Sequence, residues 1–126
     1  PGLEIRLPLL FSEGVQKGRI TLQQFEALTA TNHARLFGLY PRKGTIAVGS
    51  DADIVIFDPN RTETISVNNA HTHHTKADYS TFEGFQVTGY PDTVFSRGRC
   101  IVHQGSQRTS GGGQFVKRAL VGSQLR

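Results

Sequence analysis

The sequence predicts an α+β chain in which helices come first and strands follow. Apolar residues recur at helical spacing through residues 1–40, and short apolar runs separated by turn residues fill residues 41–105. The apolar content then falls, and three consecutive glycines stand at 111–113, so residues 106–126 are predicted to be a flexible tail. Chains that segregate helices from strands in this way build two layers or two domains.

The first predicted helix ends at Gly18 and has one apolar face. Pro8 fits near the start of this helix, where the missing N–H of proline removes no helical hydrogen bond. Glycine at the end of a helix adopts the left-handed conformation at little cost. The apolar face comprises Leu7, Leu10, Phe11 and Val15.

Two further helices are predicted before residue 40. Thr21 and Gln24 have the spacing of a capping box, in which each side chain accepts a hydrogen bond from the other residue's backbone N–H. The second helix is expected to bury Leu22, Phe25 and Leu28. A third short helix is expected to begin at a cap formed by Thr31 or Asn32 and to end at Gly38.

Residues 41–105 predict strands, a loop and one hairpin. The predicted strands lie at 45–48, 53–57 and 62–67, with Asp58, Pro59 and Asn60 forming a turn between the last two. Residues 68–85 are predicted to form a loop. A hairpin is expected at 94–102, with Gly98 at a positive φ.

Length and composition exclude several classes of protein. A chain of 126 residues holds one modest core and cannot form a complete (β/α)8 barrel, which needs roughly 250 residues. A single cysteine, Cys100, excludes an internal disulfide framework and indicates a cytoplasmic setting. No apolar run reaches the roughly 20 residues of a membrane span, so no membrane association is expected. The chain contains no Met, so we interpret it as a fragment or a processed piece.

The net charge of +4 is concentrated at one end of the chain. Residues 97–126 contain six basic and no acidic residues, whereas the rest of the chain has more acidic than basic residues. Nucleic-acid binding favours basic residues interleaved with aromatic ones, and Phe115 is the single aromatic residue of this stretch. No nucleic-acid partner is therefore expected. A solvated tail or an arm on another subunit fits the pattern.

One motif suggests a metal site, and the residues around it leave two interpretations open. His71 and His73 form a His-x-His pair followed by His74, and Asp78 could add a carboxylate. However, no strand pattern surrounds them and a third and fourth ligand are not obvious, so a surface loop with ordinary hydrogen bonds is the favoured interpretation. The sequence contains no phosphate-binding loop and no nucleophile elbow. The residues alone therefore predict no self-sufficient active site.

Several stretches of the chain resemble the cyclic amidohydrolases. The most specific is KGTIAVGSDADIV at 43–55, which resembles the return of the chain from a barrel to a small β domain. Residues 1–10, 31–39 and 94–105 are also similar to that superfamily. The dihydropyrimidinase and D-hydantoinase branch is indicated by YPRKG at 40–44, DYSTFEG at 78–84 and GQFVKR at 113–118.

The resemblance implies a fold and a reaction. Residues 1–40 would be the last helices of a metal-dependent (β/α)8 barrel, and 41–105 would be strands of a small β-sandwich. The parent would use two divalent metal ions, usually zinc in this family, to open small cyclic amides such as dihydropyrimidines or 5-substituted hydantoins to N-carbamoyl amino acids. It would be a homotetramer or homodimer, with the tail at 106–126 on a neighbouring subunit.

The resemblance also implies that the reacting groups lie outside this segment. The family's metal ligands and its proton-shuttling aspartate precede Pro1, so no catalytic and no metal-binding residue is expected here. The closest neighbours of the substrate site would be Pro1, Gly2 and Glu4. Two other functions stay open: a non-enzymatic dihydropyrimidinase-like scaffold, and a free-standing β module that binds a partner through its basic tail.

Overall fold

A computed structural model describes residues 2–119, and two continuous helices precede four strands in it. The first helix joins α1 (Arg6–Leu10) to a wider π-helical turn at Phe11–Gln16. The second runs from α2 (Leu22–Glu26) through a π-helical segment (Ala27–Thr31) into α3 (Asn32–Leu36). The predicted order of helices and then strands is confirmed.

The helix ends form as the sequence predicts. Gly18 adopts a φ of 66°, and its N–H donates to the carbonyl of Val15 at 2.9 Å. The Thr21 N–H donates to the Gln24 side chain at 2.8 Å, and the Gln24 N–H donates to the Thr21 hydroxyl at 3.1 Å. Gly38 ends the second helix at a φ of 68°. Local hydrogen-bonding chemistry therefore sets these boundaries.

The prediction of a separate third helix was wrong. Thr31 has helical angles (φ −62°, ψ −44°) and makes no capping hydrogen bond. Its hydroxyl instead contacts Glu26 at 2.5 Å and the carbonyl of Gly44 at 2.6 Å, so the helix continues past it. The predicted burial of the second helix also differs, because Leu22 is 58% exposed and Leu28 is 47% exposed.

The four strands form one antiparallel sheet in sequence order. They are β1 (Ile54–Thr64), β2 (Gln86–Ser96), β3 (Arg99–His103) and β4 (Ser106–Gln107). The predicted hairpin is confirmed: Val94 pairs with Val102 across β2 and β3, and Gly98 has a φ of 77°. Residues 68–85 contain no strand or helix, as predicted for the loop. The strand predicted at 62–67 ends at Thr64, so residues 65–67 also lie outside any strand.

Two strand predictions were wrong. Residues 45–48 form no strand; Ile46 and Val48 are exposed, and Ser50 turns back by donating its N–H to the carbonyl of Ala47. Pro59 lies inside β1 rather than in a turn. A proline is tolerated there because β1 is an edge strand of the sheet. In addition, β4 falls within the range assigned to the tail.

The chain divides into two compact units, and each draws on two separate stretches of sequence. The first unit contains residues up to Phe25 together with Ile56–Asp92. Its core is a cluster of four buried residues: Ile5, Ile65, Val87 and Tyr90. Beside this core, Phe11 packs against Phe57 with the ring centres 4.7 Å apart.

The second unit contains Glu26–Val55 and the residues from Thr93 onward. Ala34 is buried in it, and its carbonyl accepts the Leu39 N–H at 2.7 Å. Residues 108–119 have no regular secondary structure. They nevertheless make contacts within this unit: the Arg99 guanidinium donates to the carbonyl of Gly111 at 3.0 Å, and the Ala119 N–H donates to the carbonyl of Gly38 at 2.8 Å.

Candidate functional site

A two-point polar contact near the start of the described chain joins Glu4 to His74. The His74 backbone N–H donates to Glu4 Oε2 at 3.0 Å, and the His74 imidazole Nδ1 contacts Glu4 Oε1. Both carboxylate oxygens are therefore occupied by one residue of the 68–85 loop. The Glu4 side chain is 23% exposed, so this ion-pair geometry is partly shielded from water.

A small cleft lies beside this pair. Gly2, Glu4 and Ile5 form one wall, and Thr72 and His73 are among the loop residues that form the other. The cleft admits about one water-sized molecule. Gly2 and Glu4, the predicted neighbours of a substrate site, thus lie together here, while Pro1 falls outside the described residues. A ring substrate is too large for this cleft.

The three histidines of the 71–74 motif make separate contacts. His74 contacts Glu4, whereas the His73 ring Nε2 donates to the carbonyl of Ala77 at 2.7 Å. The His71 backbone N–H donates to the Asn69 side chain at 3.0 Å. Within residues 2–119, no three His, Cys, Asp or Glu side chains come together as metal ligands. These residues therefore do not fit a metal ion.

Two glutamates hold the ends of the 68–85 loop. Glu83 accepts the Val67 N–H at 3.0 Å and contacts the Ser66 hydroxyl, and these hydrogen bonds lower the pKa of the Glu83 carboxyl. Burial opposes ionisation of Glu63, but hydrogen bonds from Arg61 and Asn69 lower the pKa of Glu63 overall. Both carboxylates are thus set to stay charged while they hold the loop.

Tyr90 belongs to the buried core cluster that contains Ile5, and its phenol stays protonated. Burial, with the negative charges of Glu4 and Glu63 nearby, raises the pKa of Tyr90 to about 12. The guanidinium of Arg61 lies over the tyrosine ring, 5.0 Å from its centre. The phenol therefore acts as a neutral wall of the core and does not supply a base near pH 7.

A second polar cluster lies in the other unit, around Lys43. The Lys43 ammonium lies 2.9 Å from Asp51 and also contacts Asp53, while Arg42 Nε lies 3.0 Å from Asp51. Asp53 also accepts the backbone N–H of Arg97 at 2.9 Å. This cluster joins the segment that follows the second helix to the start of β1 and to the hairpin turn.

The pKa values in this cluster all favour the charged forms. The Lys43 and Arg42 side chains lower the pKa of Asp51. Burial opposes ionisation of Asp53, but hydrogen bonds from Lys43 and the Arg97 N–H lower its pKa. Burial likewise opposes the charge on Lys43, yet the two aspartates raise its pKa. The aspartate pair that follows Lys43 in the sequence is therefore structural rather than an acid–base pair.

Lys43→Met should destabilise the protein in a pH-dependent way. The lowered aspartate pKa values stabilise the fold above the ordinary carboxyl pKa of 3.8, and that contribution is lost as pH falls through the lowered values. The raised Lys43 pKa contributes below its ordinary 10.5 and is lost as pH rises through the raised value. At pH 7 the variant should melt about 3 °C lower.

Thermal melting at a series of pH values checks this expectation. The melting temperatures of wild type and Lys43→Met should converge as the pH falls below 3.8 and through the lowered pKa values of the two aspartates. Lys17→Met is the matched control, because Lys17 forms a single exposed ion pair with Glu13 at 2.7 Å. An equal, pH-independent effect of the two substitutions would contradict the role of the Lys43 cluster.

The sequence pattern gave no signal for the Glu4–His74 pair. The two residues are 70 positions apart, and neither belongs to a periodic or turn motif that relates them. The Lys43 cluster could be predicted in part from the sequence, since Lys43, Asp51 and Asp53 lie in one motif. Their mutual pairing, however, depends on a chain reversal at 44–50 that the predicted strand at 45–48 would have prevented.

Comparison with known proteins places these features in a family. The model of the amidohydrolase family matches residues 3–101. The chain is 53% identical over 124 residues to a D-hydantoinase of Geobacillus stearothermophilus, covering 98% of this chain and 26% of that protein. It is 46% identical over 118 residues to a dihydropyrimidinase of Rattus norvegicus, covering 93% of this chain and 22% of that protein.

Solved structures show the same relationship. A D-hydantoinase crystal structure superposes with a TM-score of 0.83 at 54% identity, covering 90% of this chain and 24% of that one. The L-hydantoinase (dihydropyrimidinase) of Arthrobacter aurescens superposes with a TM-score of 0.75 at 35% identity, covering 82% and 22%. The chain thus spans about a quarter of the length of these relatives. Among residues 2–119, no helix is long and apolar enough to cross a membrane. The chain belongs to the amidohydrolase family and is homologous to its D-hydantoinases and dihydropyrimidinases.

Proposed function

We propose that this chain is the C-terminal part of a hydrolase that opens cyclic amide rings, either dihydropyrimidines or 5-substituted hydantoins, to N-carbamoyl amino acids. The observation that carries the proposal is the likeness to a D-hydantoinase structure at 54% identity over 90% of the chain.

In this proposal, the chain supplies structure rather than reacting groups. Residues 1–40 complete the helical layer of a (β/α)8 barrel, residues 41–105 form part of a small β-sandwich, and 106–126 form the basic tail. The large exposed apolar side chains support this role, because side chains such as Leu22, Leu36 and Val48 need a partner surface to cover them. In a protein as long as these relatives, about three quarters of the chain lies outside this segment, and that part would provide the covering surface.

The metal chemistry of the proposed reaction belongs outside the described residues. Two divalent metal ions, zinc in our proposal, would activate water and polarise the ring carbonyl when bound. The donor set in residues 2–119 does not fit them, since the histidines and carboxylates contact separate partners. The residues that do bear on the reaction are Gly2 and Glu4, which we propose lie next to the substrate.

We propose that the residues that select the substituent on the substrate ring also lie outside this segment. This part of the fold is similar to proteins called D-hydantoinase and to one called L-hydantoinase. Since the same segment accompanies both names, the loops that select the substrate's handedness would lie outside it.

We propose a homotetramer or homodimer in which the tail contacts a neighbouring subunit. Sedimentation of the complete protein would measure this oligomeric state.

The test is ring opening by the complete protein that carries this sequence. We expect it to convert dihydrouracil or phenylhydantoin to the N-carbamoyl product, and we expect a chelator to abolish turnover and added zinc to restore it. The separate 126-residue chain with added zinc should be inactive. Failure of the complete, folded and zinc-loaded protein to open either ring above a metal-only control would favour the scaffold alternative instead.

A further inference from the structure

The Glu4–His74 pair fixes one end of the first helix against a distant loop. Glu4 immediately precedes Ile5, the N-cap of α1, and the Ile5 carbonyl accepts the Leu9 N–H at 3.0 Å, so the helix begins at this point. His74 is 54% exposed and belongs to a loop without helices or strands, yet it occupies both Glu4 oxygens. Displacement of either residue would therefore move the other.

The loop that carries His74 is itself held firmly. Thr72, 2% exposed, donates its N–H to the carbonyl of Asn69 at 3.0 Å, and the Asn69 side chain donates to the carbonyl of Thr64 at 2.8 Å. At the other end, Glu83 accepts the Val67 N–H. Because these hydrogen bonds fix the loop backbone, they also limit where the His74 side chain can lie.

We propose that Glu4 and His74 form a positioning pair, in which His74 holds the Glu4 carboxylate and thereby sets the backbone of residues 2–5 at the substrate site. This inference rests on the proposed function, because it takes Gly2 and Glu4 to be neighbours of the substrate. Small errors in the placement of such backbone cost large factors in rate, since reacting atoms must be aligned closely. His74 is therefore a positioning residue, not a catalytic one.

Substitutions at His74 test the pair in the complete protein with zinc bound. His74→Ala removes the imidazole contact and leaves the backbone N–H, so kcat for phenylhydantoin or dihydrouracil should fall about 10-fold, with KM changed less than about 2-fold. His74→Gln keeps a side-chain donor and should recover kcat to within about 3-fold of wild type. The melting temperature should change little in either variant, because the His74 side chain is half exposed.

His71→Ala is the matched control. His71 lies in the same loop and is exposed, but its backbone N–H rather than its ring makes the hydrogen bond to the Asn69 side chain. Wild-type kcat is expected for this variant. In a double-mutant cycle, His74→Ala should add little to the loss caused by Glu4→Ala, because the two substitutions remove one interaction.

Hydrogen exchange gives a readout that does not depend on turnover. The amides of residues 5–9 should exchange faster in His74→Ala than in His71→Ala if the pair holds the start of α1. Equal exchange and equal kcat in the two variants of an active protein overturn the positioning pair alone. A wild-type protein that opens neither ring overturns the proposed function, and the catalytic role of the pair with it.

Discussion

Gly89→Ala should be among the most damaging single substitutions in this chain, with a cost of about 3 kcal/mol in the free energy of unfolding. Gly89 has a φ of 100°, a conformation that residues with a Cβ rarely adopt. A Cβ built there would overlap the ring of Phe11 and lie 2.9 Å from Phe57. Neither ring can move away, because the two pack against each other.

Two further variants separate the steric part of this cost from the backbone part. Gly84 also has a positive φ, of 78°, but among the described residues no atom lies within 4 Å of a Cβ there. Gly84→Ala should therefore cost only about 1 kcal/mol, the backbone part alone. Phe11→Leu should recover stability when combined with Gly89→Ala, since it removes ring atoms from the overlap. Denaturant unfolding of the complete protein measures all three; similar costs for Gly84→Ala and Gly89→Ala would rule out the overlap.

Ile65→Ala should also cost about 3 kcal/mol in the free energy of unfolding, but because it leaves space empty rather than because it crowds the core. Ile65 is 2% exposed and packs in the cluster with Ile5, Val87 and Tyr90, so truncation leaves a cavity that the surrounding side chains cannot fill. Its backbone is fixed as well: the Ile65 N–H donates to the carbonyl of Phe85 at 2.9 Å. The neighbouring chain therefore has little freedom to collapse into the space.

Ile65→Val supplies the graded control for this prediction. It removes one methylene and should cost about 1 kcal/mol, while the Ala variant removes most of the side chain. Both changes leave the backbone hydrogen bonds in place, so their difference reports packing. Unfolding of the complete protein in denaturant measures it. Equally small losses for Val and Ala would show that the core of this unit does not depend on Ile65.

Local chemistry explains which parts of the fold could be predicted from the sequence. The capping box of Thr21 and Gln24, the helix end at Gly18 and the hairpin around Gly98 each depend on residues within a few positions of one another. Propensity and turn chemistry act at that range, so sequence patterns report them. The resemblance to the cyclic amidohydrolases, carried most specifically by the motif at 43–55, added the prediction of the family, which is confirmed.

The errors arise where tertiary contacts override local preference. Thr31 has the chemistry of a cap, but the Gly44 carbonyl 13 residues away accepts its hydroxyl and the helix continues. Residues 45–48 have strand propensity, but the ion pairs of Lys43 with Asp51 and Asp53 draw this segment into a loop. The Glu4–His74 pair spans 70 residues and involves an exposed loop, so no local pattern encodes it.

The interleaving of the two units constrains how the chain can be made and cut. One unit uses residues up to Phe25 and Ile56–Asp92, while Glu26–Val55 between them belongs to the other. When residues up to Val55 have emerged from the ribosome, both units have therefore begun and neither is complete. The first unit becomes complete once Asp92 has emerged, and the second still needs the residues from Thr93 onward. No cut between residues 27 and 91 leaves either unit intact. A chain that is expressed only as far as a residue in that range should therefore be degraded or insoluble.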